Sequence, residues 1–117
     1  MRKKTTELCK ATTVINIRAI EGTNEIMYLS TRAVADFLKL KQPFEFTSRV
    51  SKLTGEIPVT GTQLAYGGKK NARATYLSVE SIYNTLIQIN KLGLRYDEKR
   101  RATLLRSLSA FLVRRKD

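Results

Sequence analysis

Tyr76–Gln88 reads Tyr-Leu-Ser-Val-Glu-Ser-Ile-Tyr-Asn-Thr-Leu-Ile-Gln, and this stretch decides the fold. Its first residues have the character of a strand end. Ser78 is placed to cap a helix, and Glu80 sits in the first turn, where the helix dipole favours an acid. Val79, Ile82, Tyr83, Leu86 and Ile87, extended by Ile89 or Leu92, make an apolar stripe too broad for an exposed helix. A helix central to the core is predicted, ending at Gly93.

The same pattern occurs earlier, at Tyr28–Leu38 (Tyr-Leu-Ser-Thr-Arg-Ala-Val-Ala-Asp-Phe-Leu). Tyr28/Tyr76, Leu29/Leu77, Ser30/Ser78, Val34/Ile82, Asp36/Asn84 and Leu38/Leu86 correspond. Two copies are too few for a solenoid. The economical reading is two strand-to-helix units, each capping a helix and burying its stripe against a sheet.

Before the first unit, Val14, Ile15, Ile17, Ala19 and Ile20 form a β-rich run with polar Asn16 and Arg18 interleaved. Glu21-Gly22-Thr23-Asn24 is a turn signal, so this run and Glu25–Leu29 predict a hairpin. Residues 1–12, with Arg2, Lys3, Lys4 and Lys10, carry no sustained periodicity and predict a flexible basic arm. Residues 13–117 are then one α+β domain.

After the first unit, a helix capped by Ser30 is expected to stop before Pro43, and Pro43 to open a second one. Phe46, Val50 and Leu53 give this second helix its buried face, and Gly55 ends it. The pair resembles a helix-turn-helix, with Thr47, Ser48, Arg49 and Lys52 off the apolar stripe. Ile57-Pro58-Val59 predicts an edge strand, because Pro58 lacks a ladder donor. Thr60–Ala72 reads as a loop, with Gly67-Gly68 ahead of Lys69-Lys70. It lacks the spacing of a phosphate-binding P-loop. Asp97 is a plausible cap for the last, basic helix. Leu104, Leu105, Leu108, Phe111 and Leu112 share one face of it, with Lys99, Thr103, Arg106 and Ala110 on the other. Arg101 falls inside the apolar face, where it must snorkel, pair with an acid, or mark where the helix leaves the core. The long apolar face equally suits a homodimer seam. The predicted fold is thus α+β: a small antiparallel sheet of hairpins packed against three to four helices, the last helix basic.

The 117 residues hold 22 Lys+Arg against 10 Asp+Glu, a net charge of +12, with no histidine and one cysteine. A Cys/His zinc site and a histidine-based triad are excluded within one chain, and no internal disulfide can form. The acids are scattered without a metal-binding pattern, so no catalytic residue, metal or cofactor is expected. No apolar run approaches the length of a membrane span, and the composition suits an intracellular protein of the cytoplasm or nucleoid, or of the host nucleus for a eukaryotic virus. The charge favours a polyanion, nucleic acid foremost. Arg2, Lys3, Lys4, Lys52, Lys69, Lys70, Arg73, Arg106, Arg114 and Arg115 are candidate contacts to it. Gln42 and Arg49 are candidate base readers, and Tyr66 is a candidate stacking residue. Docking on an acidic protein partner, such as a polymerase or a repressor, and RNA binding are the alternatives.

Two blocks resemble a known family. Ala33-Val34-Ala35-Asp36-Phe37-Leu38-Lys39-Leu40-Lys41-Gln42-Pro43 and Ala74–Ile87, with its Tyr83 and Leu86-Ile87, are similar to the N-terminal (BRO-N-type) domains of phage antirepressors and baculovirus repeated-ORF proteins. Lys99–Leu112 is similar to the last helix of that family. The pattern departs at Arg32-Ala33, at Ser81, and in having no tryptophan. The resemblance implies a non-enzymatic module that binds double-stranded DNA, of a viral or phage-type transcription regulator. Members carry a separate effector domain, so a stand-alone module or an excised domain is implied.

Overall fold

The computed structural model describes residues 5–7, 17–22, 26–64 and 73–116. Among these residues, five strands form one antiparallel sheet in the order β1-β2-β3-β5-β4: β1 Thr5–Glu7, β2 Arg18–Glu21, β3 Met27–Ser30, β4 Val59–Thr60 and β5 Thr75–Ser78. The described helices are α1 Thr31–Phe37, α2 Pro43–Thr54, α3 Gly61–Leu64, α4 Val79–Ile87 and α5 Glu98–Lys116, with a 3-10 turn at Ile89–Leu92. The α+β architecture matches expectation, with more helical segments than the three to four predicted.

The two similar units lie at the centre. Strands β3 and β5 pair with Tyr28 opposite Ser78, Leu29 opposite Leu77 and Ser30 opposite Tyr76. Because the repeat equates Leu29 with Leu77, a local two-fold axis passes through that pair. Each strand runs straight into its helix. Ser30 Oγ accepts from Ala33 N at 3.2 Å, and Ser78 Oγ accepts from Ser81 N at 3.2 Å. The shared sequence therefore produces the same cap twice.

Side chains alternate across the pleat. Met27, Leu29, Leu77 and Val79 join the main core with Val34, Leu38, Phe46, Val50, Ile82, Leu86, Leu104, Leu108 and Phe111. On the other face, Ile20, Tyr76 and Leu64 form a smaller cluster with Tyr28, Val59 and Ala74. Gly22 sits under that cluster: a Cβ there would lie 2.5 Å from Tyr28 Cε2.

Several boundaries differ from expectation. Thr5–Glu7, inside the stretch read as a flexible arm, pairs with β2 as an edge strand. The rest of the 1–12 arm lies outside the described residues, as does the 14–16 part of the first β-rich run. Helix α1 stops at Phe37. Lys39 takes a left-handed conformation (φ 60°), with Lys39 N donating to Asp36 O and Leu40 N donating to Ala35 O. This Schellman motif turns the chain before Pro43 is reached and tucks Leu40 into the core. Pro43 does open α2, and Gly55 (φ 77°) closes it.

Residues 61–64, assigned to a loop, form a helical turn. Thr60 Oγ1 accepts from Gln63 N, and Gln63 Oε1 accepts from Thr60 N, a Thr-x-x-Gln capping box. Helix α4 ends at Ile87 rather than at Gly93. The tighter 3-10 turn then brings Ile89 and Leu92 onto one side, and both are buried. Ile87 is left 58% exposed and is not part of the core.

Asp97 caps α5, its Oδ1 accepting from Arg100 N. The Leu104, Leu108 and Phe111 face is buried within the chain, where α5 packs on α4.

Candidate nucleic-acid interface

Helix α2 is held by Phe46 and Val50, both fully buried, so its opposite side is presented to solvent. Gln42, Phe44, Ser48, Arg49 and Lys52 are exposed. Thr47 is half-buried, its hydroxyl directed at Pro43 O. Phe44 is 92% exposed. The sequence signal for that was present: Phe44 falls opposite the Phe46, Val50 and Leu53 stripe at 100° per residue.

Arg49 and Lys52 are joined by Lys91, from the 3-10 turn, around a shallow cleft of about 420 Å3 completed by Leu53 and Leu92. Among the described residues, no carboxylate lines this cleft. One arginine nitrogen, Arg49 Nη1, donates to Leu92 O, and Nη2 faces Glu45 Oε2 at 3.4 Å. Arg49, expected to read bases, is thus a staple between α2 and the carbonyl end of the 3-10 turn. Its remaining N–H groups edge the cleft. Lys91 lies about forty residues from Lys52 in the chain, and no local pattern could have linked them.

A second cleft, of about 470 Å3, adjoins the first through Leu53. It is lined also by Thr54, Ser81, Asn84, Ile87 and Gln88. The two form one surface along α4 and the C-terminal half of α2.

Other candidates lie elsewhere. Arg73 is exposed just ahead of β5, and Arg106 and Arg114 are exposed on α5; none lines either cleft. Only the backbone of Arg115 is described, as part of α5. Arg2, Lys3, Lys4, Tyr66, Lys69 and Lys70 lie outside the described residues.

Arg101, the cation inside the apolar face, is resolved by pairing. Its Nε and Nη2 donate to the two carboxylate oxygens of Glu98 at 2.8 and 2.5 Å, and Nη1 donates to Leu86 O at 3.1 Å. The hydrogen bonds from Arg101 hold the Glu98 carboxyl below the usual carboxylate range, and Glu98 in turn raises Arg101.

A larger groove, of about 560 Å3, lies at another part of the surface. Ile26, Ile57, Phe111 and Leu112 line it with Glu56 and Glu80. Glu56 is committed to structure. Its Oε2 accepts from Ser78 N at 2.7 Å, and its Oε1 accepts from the hydroxyls of Ser78 and Ser81 at 2.6 and 2.9 Å. A carboxylate at this helix N-terminus is doubly favoured, by the free N–H groups and by the dipole.

Among the described residues, no group of three or more His, Cys, Asp or Glu side chains is placed to hold a metal ion. No described helix is long and apolar enough to cross a membrane.

No family model, no curated protein and no solved structure matches this chain.

Proposed function

We propose that the chain is a non-enzymatic domain that binds double-stranded DNA, acting inside the cell as a regulator of viral or phage type. The observation that carries this reading is the convergence of Arg49, Lys52 and Lys91 on one cleft, in a chain of net charge +12. Cations gathered from separate elements face a polyanion more economically than one another, and phosphate is the usual counter-charge. The resemblance of Ala33–Pro43 and Ala74–Ile87 to the BRO-N-type domains points the same way.

In this reading Lys52 and Lys91 contact phosphates, and Arg49 holds them in place. Gln42 and Phe44, at the start of α2, extend the contact along the same exposed side. Arg2, Lys3, Lys4, Lys69, Lys70, Arg73, Arg106, Arg114 and Arg115 add diffuse attraction, and Tyr66 stacks beside the basic loop. Affinity then comes mainly from counterion release.

The test is binding to a random DNA duplex and to RNA of equal length, as a salt series. A log–log slope of about −4 or steeper on DNA, with RNA weaker, supports the reading. Absence of binding at about 50 mM salt contradicts it.

A second reading, docking on a protein partner, is favoured by one observation: Ile57 is 82% and Ile26 41% exposed beside the larger apolar groove. Saturation at fixed stoichiometry with a partner protein, independent of DNA length, distinguishes it.

A further inference from the structure

The second cleft holds two kinds of polar side chain. Its hydroxyls are already engaged: Thr54 Oγ1 donates to Val50 O at 2.8 Å, and Ser81 Oγ donates to Glu56 Oε1 at 2.9 Å. Its amides are not. Among the described residues, no hydrogen bond occupies the side chain of Asn84 or of Gln88. Asn84 lies on the last turn of α4 and Gln88 is the residue that ends it, and both line the same cleft. Ile87 lies between them in the chain and is 58% exposed.

A side-chain amide carries a donor and an acceptor side by side. In the major groove, adenine presents the matching pair, an N7 acceptor and an N6 donor. Guanine presents two acceptors there and suits arginine or lysine better. Cytosine is read by a carboxylate, and none lines this cleft among the described residues. The thymine of the same pair adds a methyl group, for which an exposed isoleucine is an apolar counterpart. Leu53 is shared with the cationic cleft, so the amides lie next to the groups that would grip the phosphates.

We infer that Asn84 and Gln88, with Ile87, form the sequence-reading element of the domain, and that the element selects A·T pairs through adenine N6/N7 and the thymine methyl. The inference rests on the DNA-binding reading above. It moves specificity from Arg49, whose guanidinium is a staple, to α4.

The experiment is a selection from a duplex library with a randomised core, run with the wild-type chain, Asn84→Ala and Asn84→Ala/Gln88→Ala. Asn84 is exposed, so the single variant tests the inference without disturbing the fold, and its melting curve checks this. The wild type is expected to enrich an A·T position favoured over G·C by on the order of ten-fold. Asn84→Ala should weaken that preference and Asn84→Ala/Gln88→Ala should abolish it, while binding to random duplex persists through the cationic cleft. On the selected site, 7-deazaadenine, which lacks the N7 acceptor, should weaken the wild type and leave Asn84→Ala/Gln88→Ala unaffected. Replacing thymine by uracil should weaken the wild type but not Ile87→Ala. The same enriched site and the same discrimination in all variants would overturn the inference and leave the DNA-binding reading standing. Absence of duplex binding by the wild type, or tighter binding of RNA, would overturn both.

Discussion

Leu29 and Leu77 face each other across the β3–β5 ladder, and they are also the same position of the repeated Tyr-Leu-Ser motif. Only at this pair do the register and the repeat coincide. The two strand-to-helix units therefore meet about a local two-fold axis, with both leucines fully buried. Truncating either to alanine should cost about 2–5 kcal/mol in denaturant unfolding, because a cavity opens where both halves converge. The double variant should cost less than the sum of the singles, since the second truncation enlarges an existing cavity. Strict additivity would show that the pair is not a shared packing centre.

The two units are not equal. Thr31 Oγ1 bonds with Thr75 Oγ1 at 2.8 Å, whereas the equivalent positions of the other unit hold Val79 and Met27. In compensation, the second cap is buttressed by Glu56. Glu56→Gln keeps the shape but loses the charge and half of the acceptors, and should destabilise by about 1–3 kcal/mol. Ser30→Ala, at the first cap, should cost only about 1 kcal/mol, because no carboxylate depends on it. Thermal unfolding of the two variants gives the comparison, and equal losses would contradict the asymmetry.

Gly22 tests the smaller cluster. In Gly22→Ala the new Cβ meets the Tyr28 ring, with Leu64 Cδ2 3.2 Å away, so the ring must move. A loss of about 1–3 kcal/mol is expected. Tyr28→Leu should be tolerated better in the alanine background than in the wild type, which a double-mutant unfolding cycle measures.

The Glu98–Arg101 pair gives a pH signature. Glu98 titrates lower in the folded chain than unfolded. Its contribution is therefore present above the ordinary glutamate pKa and is lost as pH falls through the lowered value. In Arg101→Gln that acid-side loss should disappear, and the Glu98 carboxyl, followed by NMR, should return toward the ordinary range. An unchanged titration would show that Arg101 does not hold it.

Local signals in the sequence were reliable. Ser30, Ser78 and Asp97 cap helices because a hydroxyl or carboxylate next to the first turn needs no distant partner. Pro43 opens α2 and Gly55 closes it for equally local reasons. The signals that were overlooked were also local: the Thr60/Gln63 capping box, and the solvent-side placement of Phe44. What no local pattern contains is the meeting of distant groups. Glu56 with Ser78, Arg49 with Leu92, and Lys52 with Lys91 depend on how α2 packs on α4 and the 3-10 turn. The break at Ile87 belongs to the same class, since an unbroken stripe fits the sequence and only the packing of Ile89 and Leu92 selects the tighter turn. The candidate surface was therefore half legible: α2 supplied Arg49 and Lys52, while Lys91, Asn84, Ile87 and Gln88 came from the fold.

The central claim is that the cleft between α2 and the 3-10 turn grips DNA phosphates. The most direct measurement is the salt dependence of duplex binding for the wild type and for Lys52→Ala/Lys91→Ala. The account predicts weaker binding to all sequences and a log–log slope shallower by about 2 in the double variant. Wild-type affinity with an unchanged slope would contradict it.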